Sequence, residues 1–153
     1  MIHSDSFDRI RDLFKSQKLA VLATINESKP YCNLVAFVET SDCKSLIFAT
    51  SRNTSKYRNL LKNRRVSILI DDRPNLSSGF GNNVAVTASG LADEISPEEK
   101  PYFAELLISK HPDLTSFVKE PDNTLFKVRI SEYIIAGFES VEILRLEDTA
   151  RKL

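Results

Sequence analysis

The chain has 153 residues, with 21 basic and 21 acidic side chains and no formal net charge. That length suits one domain with its own core, and the balance supplies no field to draw the molecule onto nucleic acid or a membrane surface. No apolar run reaches the ~20 residues that span a bilayer, and MIHSDSFDRIRDLF lacks the apolar block of a signal peptide, so a cytoplasmic protein folded as a single domain over residues 1–153 is expected.

Phe7, Ile10, Leu13 and Phe14 recur at helical spacing, with Ser4 to Ser6 as caps, which predicts a helix from about Ser6 to Gln17. Leu19 to Ile25, LAVLATI, is continuously apolar and reads as a strand buried on both faces. Tyr31 to Glu39 and Ser45 to Ala49 follow as strands after short turns, an antiparallel meander. Thr54 to Asn63 reads as a short helix with Tyr57, Leu60 and Leu61 on one face, and Arg65 to Ile70 as a fourth strand. Asp71 to Asn83 is rich in turn formers and reads as a long loop. Val84 to Ile95 is a fifth strand, in which Gly90 predicts a bend, a bulge or a close approach.

Ser96, Pro97 and Glu99 mark a helix start, with the helix running to about Lys110 and ended by Pro112. A short helix over Asp113 to Val118, a sixth strand over Leu125 to Ile135 and a seventh over Val141 to Leu146 complete the order. Six or seven mostly antiparallel strands remove their edges by closing into a barrel. The expected fold is therefore mainly β, an antiparallel barrel with peripheral helices.

Phe48 to Leu60, FATSRNTSKYRNL, runs from a strand through a polar loop into a basic helix start at Thr54, Ser55 and Lys56. The first turn of a helix has unpaired N–H groups and partial positive charge. Hydroxyls and a lysine placed there suit a phosphate; a capped helix with a solvated lysine is the plainer alternative.

Other chemistry-bearing residues are few. Cys32 and Cys43 have no metal-type spacing. Cys32, in a strand, is expected to be a small buried apolar residue, and Cys43, in a turn, an exposed thiol. His3 and His111 lie far apart in sequence, and His111 suits a helix end. No metal site is expected. Four glycines leave no GxGxxG or Walker loop. Lys62, Arg64 and Arg65 form a cluster too short for a nucleic-acid surface, and Glu132, Glu139, Glu142 and Glu147 are spaced as outward strand residues.

The strand order, together with LAVLATINESKPYCNLVAFV and LIFATSRNTSKYRNLLKNRRVSILID, resembles the pyridoxamine 5′-phosphate oxidase-like, FMN-binding split barrels over roughly Leu19 to Val141. The resemblance implies a split barrel, a homodimer, and FMN at the subunit interface with its phosphate near the helix after the third strand. Thr50, Thr54 and Lys56 match positions that hydrogen-bond FMN in that family. Ala49 and Ser55 adjoin them, and Asn33, Leu34 and Val35 lie on the second strand, where backbone and aliphatic groups suit a flavin ring. Asn33 is unusual inside a strand and is either a ligand contact or a solvent-facing polar position.

The oxidase that makes pyridoxal phosphate has an arginine where Ser55 stands. It also carries an arginine and a lysine at the positions of Cys32 and Phe37, and a C-terminal tryptophan and arginine without counterpart in FESVEILRLEDTARKL. Arg52 and Arg58 are nearby substitutes for the missing cations. The expectation is an FMN-binding oxidoreductase acting on a small molecule other than pyridoxamine phosphate, with an electron donor such as NAD(P)H. The alternatives are a non-catalytic flavin carrier or sensor, a haem-binding or haem-degrading relative, and a barrel holding a deazaflavin (coenzyme F420) in place of FMN.

Overall fold

The computed structural model describes residues 2–73, 83–137 and 140–146, with side chains from residue 5 onward. Residues 74–82 of the long loop, the side chain of His3, and Glu139, Glu147 and Arg151 lie outside the described residues. The strands are β1 (Leu19–Asn26), β2 (Lys29–Glu39), β3 (Ser45–Ser51), β4 (Arg65–Asp71), β5 (Ala85–Glu94), β6 (Asn123–Ala136) and β7 (Val141–Arg145). The helices are α1 (Ile2–Ser16), α2 (Ser55–Lys62), α3 (Lys100–Lys110) and α4 (Thr115–Lys119).

One antiparallel sheet runs β3-β2-β1-β4-β5-β6-β7, and β3 also pairs with β6, so six strands close into a barrel. The long β6 makes closure possible. Its first half pairs with β3, from Asn123↔Ser51 to Arg129↔Ser45, and its second half pairs with β7, from Glu132↔Arg145 to Ala136↔Val141. β5 runs along its other side, and the register shifts between Ser89 and Gly90. A Cβ on Gly90 would collide with the Arg129 carbonyl. Only glycine lets the two backbones meet at this bulge.

Strand parity sorts the apolar residues into two cores. Leu22, Phe37, Phe48, Ile68, Val86 and Phe126 fill the barrel, and Ile10 and Phe14 of α1 cap it. Val38, Ile47 and Leu125 point outward and pack on Phe103 and Leu107 of α3 and Val118 of α4. Burying each of these larger side chains is worth about 1.5–3 kcal/mol.

Three expectations are corrected. β1 is not buried on both faces: Ala20, Leu22 and Thr24 point in, while Leu19 is 52% exposed. Ser4 to Ser6 do not cap α1, which begins before them; the Ser6 hydroxyl donates to Glu142 of β7. Leu61 leaves the face shared by Tyr57 and Leu60 and is exposed.

The barrel is split on one side. β2 pairs with β3 only from Phe37↔Phe48 to Glu39↔Leu46. Residues 29–36 of β2 pair with β1 alone, so that stretch of β2 has a free backbone edge.

Candidate functional site

The loop after β3 enters α2 through Thr54. Its backbone is extended, and its hydroxyl accepts the Tyr57 N–H at 3.1 Å, an ordinary N-cap. The Thr50 and Thr54 hydroxyls stand 3.3 Å apart, so the end of β3 and the start of α2 present two oxygens together. Ser55 accepts from the Arg58 guanidinium at 3.2 Å.

Lys56, in the first turn, is half-buried and has no hydrogen-bond or ion-pair partner among the described residues. Burial holds its amine below the ordinary lysine value. An unpaired, partly desolvated cation beside free helix N–H groups is costly for the isolated chain and favourable once an anion arrives.

One turn further on, the buried Asn59 donates its amide to Thr24 Oγ1 of β1 at 3.2 Å. Thr24 sits opposite Tyr31 in the β1–β2 ladder. The next inward-facing residue of β2 is Asn33, whose amide oxygen is buried and has no hydrogen-bond partner. Such an orphan is expected to meet a donor from outside the chain. Lys56 and Asn59 are spaced to share a helix face, so α2 spans from the lysine to the strand pair that carries Asn33.

The remaining expected site residues divide by parity. Val35 points into the core, 5% exposed, while Leu34 points outward, 65% exposed. Ala49 packs its methyl against the α3–α4 cluster and stands opposite Leu125 of β6, whose carbonyl accepts from Ile95 instead. The structure thus brings Thr50, Thr54, Ser55 and Lys56 together, places Asn33 on the free-edged stretch of β2, and turns the side chains of Leu34 and Ala49 elsewhere.

The two arginines named as substitute cations, Arg52 and Arg58, are both engaged, Arg58 with the Ser55 hydroxyl. Arg52 binds Glu94 at 3.2 Å and the Pro121 carbonyl at 3.0 Å, and Tyr57 donates to the other Glu94 oxygen at 3.3 Å. Arg64 grips both oxygens of Asp93 at 2.7 Å. Sequence reading missed Thr24, Asn59 and Glu94. A polar Asn59 on the apolar face of α2 was the available signal for the first pair; Glu94 meets Arg52 only through the fold.

The cysteine expectations are reversed. Cys32 occupies an outward position of β2 and is exposed, whereas Cys43 is fully buried. Cys43 has positive φ, and Tyr133 donates to its carbonyl at 2.6 Å, drawing the turn against the barrel. Burial pushes both the Cys43 thiol and the Tyr133 phenol up. His111 ends α3, is 4% exposed, and donates from Nε2 to the Phe37 carbonyl at 2.8 Å. Among the described residues no three His, Cys, Asp or Glu side chains cluster as a metal site, and no helix is long and apolar enough to cross a membrane.

On the outer face, Leu34, Val21 and Leu69 stand in register across β2, β1 and β4. They line an open groove of about 630 Å³ that also includes Leu19, Lys18 and Arg73.

The family model described as pyridoxamine 5′-phosphate oxidase matches residues 6–135. A pyridoxamine 5′-phosphate oxidase homolog of Schizosaccharomyces pombe is 25% identical over 154 residues, covering 80% of each protein. The heme binding protein of Mycobacterium smegmatis superposes with a TM-score of 0.79 at 18% identity; the match covers 88% of this chain and 55% of that one, so this chain spans about half its length. A FAD-binding protein of Mesorhizobium loti superposes with a TM-score of 0.63 at 18% identity, covering 82% of this chain and 89% of that one. The split barrel, closed by β3 on β6, and a family match over most of its length agree: the chain belongs to the pyridoxamine 5′-phosphate oxidase family.

Proposed function

We propose that this protein binds FMN and acts as a flavin-dependent oxidoreductase on a small molecule other than pyridoxamine phosphate. The observation that carries the reading is Lys56, a half-buried amine with no partner among the described residues, in the first turn of α2 beside the Thr50–Thr54 hydroxyl pair. A phosphate supplies the charge and acceptors that this seat lacks. The orphaned Asn33 oxygen suits a ring N–H of the flavin, and the free edge of β2 offers further backbone groups.

When bound, a flavin supplies hydride or electron transfer. The protein's part is to hold and orient it, which accounts for a site built from hydroxyls, an amide and one amine. Cys32 is not a basic residue, and Phe37 lies fully within the barrel core. Neither can supply the cations that a phosphorylated vitamin would need beside the cofactor. The outward Leu19 and Leu34, alongside the groove, suit a second copy of the chain. His111 is tied to the Phe37 carbonyl, which favours flavin over haem.

The visible spectrum of freshly purified protein tests this reading. A flavin absorption that bleaches on adding NADH or NADPH supports it. A Soret band, or a flavin that neither nucleotide reduces, supports instead a haem protein or a carrier.

A further inference from the structure

A second cavity, of about 420 Å³, opens where the loop after β3 meets the turn from β5 into α3. Arg52, Glu94, Ser96, Lys100 and Thr124 line it, with Ile95 and Pro97 as its apolar wall. The size is within the range of small-molecule sites. It is separate from Lys56 and Asn33, neither of which lines it.

The hydrogen-bond inventory of this cavity is one-sided. Its one carboxylate already accepts at both oxygens, one from Arg52 and the other from Tyr57. The donors hold more in reserve. Lys100 uses its amine on the Asn123 carbonyl at 3.0 Å and keeps further N–H groups. Arg52 donates to Pro121 and Glu94 and also keeps N–H groups in reserve. Thr124 is 2% exposed, lines the cavity, and its hydroxyl has no hydrogen-bond partner among the described residues. That oxygen is not one of the fully buried atoms left without a partner, so it reaches the cavity's solvent and is free to bond a ligand there. Two cations against one neutralised carboxylate leave the cavity net positive.

We infer that this cavity is a binding site for a small, acceptor-rich organic anion, carrying carboxylate or phosphate groups, held by Lys100, Arg52 and the Thr124 hydroxyl. The site adjoins the cofactor seat through shared partners: Glu94 bridges Arg52 to Tyr57 of α2, and Thr124 pairs across the ladder with Thr50. It stands whether or not the seat at Lys56 holds a flavin.

The test is a titration of isotope-labelled full-length protein, followed by amide chemical shifts, with succinate, glycerol 3-phosphate and the neutral succinamide. The expected result is saturable shifts at Arg52, Ser96, Lys100 and Thr124 with one or both anions and none with succinamide. Response to succinate alone assigns carboxylates, and to glycerol 3-phosphate alone, phosphates. Lys100→Gln weakens binding by about tenfold, the loss of one charge-assisted hydrogen bond, and Thr124→Val weakens it with all charges intact. Lys56→Ala leaves it unchanged. Absence of saturation with both anions, equal response to succinamide, or shifts that follow Lys56 instead of Lys100 would overturn the assignment.

Discussion

The hydroxyls of Thr50 and Thr54 stand 3.3 Å apart and join the end of β3 to the N-cap of α2. The same Thr54 oxygen accepts the Tyr57 N–H, so the cap that starts the helix also fixes where its first turn points. Lys56 inherits its position from that cap.

Lys56→Ala weakens flavin binding far more than Arg64→Ala. Lys56 has no competing partner among the described residues, whereas Arg64 is committed to Asp93 on the surface. Losing a charge-assisted hydrogen bond costs about 1.5–3 kcal/mol, roughly ten- to a hundredfold in affinity. Fluorescence titration of each variant with FMN measures this, and equal curves would move the phosphate away from α2.

Lys56→Met stabilises the cofactor-free protein while weakening the cofactor. Desolvation lowers the folded pKa of Lys56 below its ordinary 10.5. Below that lowered pKa both states carry the proton, and the folded state bears the full burial penalty. Between the folded and unfolded values the unfolded state binds more protons, so stability rises with pH. The melting temperature of Lys56→Met therefore exceeds the parent's at neutral pH, and the gap narrows as pH rises towards 10.5. A gap that widens with pH would contradict this account of the lysine.

Gly90→Ala destabilises the barrel by about 1–3 kcal/mol, the range for an overpacked interior, because its Cβ meets the Arg129 backbone. Gly137→Ala is the control, since its Cβ meets the Ser140 Oγ at an ordinary 3.6 Å. Urea midpoints of the two variants settle the comparison; equal midpoints would mean that the strands relax freely at the bulge.

Cys32 reacts with a thiol reagent in the native protein, and Cys43 only when the fold opens. Burial both covers the Cys43 sulfur and disfavours its thiolate. Peptide mapping after brief alkylation, with and without denaturant, reads both sites, and native labelling of Cys43 would contradict the packing of its turn.

These cysteines show where a sequence stops being informative. Side-chain alternation placed the strands within a few residues, and Gly90 announced its bulge, because both signals are local. The Ser-Lys helix start was legible for the same reason. Inside and outside were not. Cys32 is exposed because register with Ala23 sets it on the outer face of β2. Cys43 is buried because Tyr133, ninety positions away, reaches its carbonyl. Asn33 stood out as an asparagine in a strand, yet its orphaned oxygen depends on β3 parting from β2 after Phe37↔Phe48. The Arg52–Glu94–Tyr57 bridge joins three separate elements and leaves no trace in spacing.

The most direct test of the central claim compares FMN with riboflavin, which shares the ring and lacks the phosphate. Titration of cofactor-free protein, followed by quenching of flavin fluorescence, should show FMN binding tighter than riboflavin by at least tenfold, about 1.4 kcal/mol, with Lys56→Ala narrowing that difference. Equal affinity of parent protein for the two flavins would contradict a phosphate seat at the start of α2.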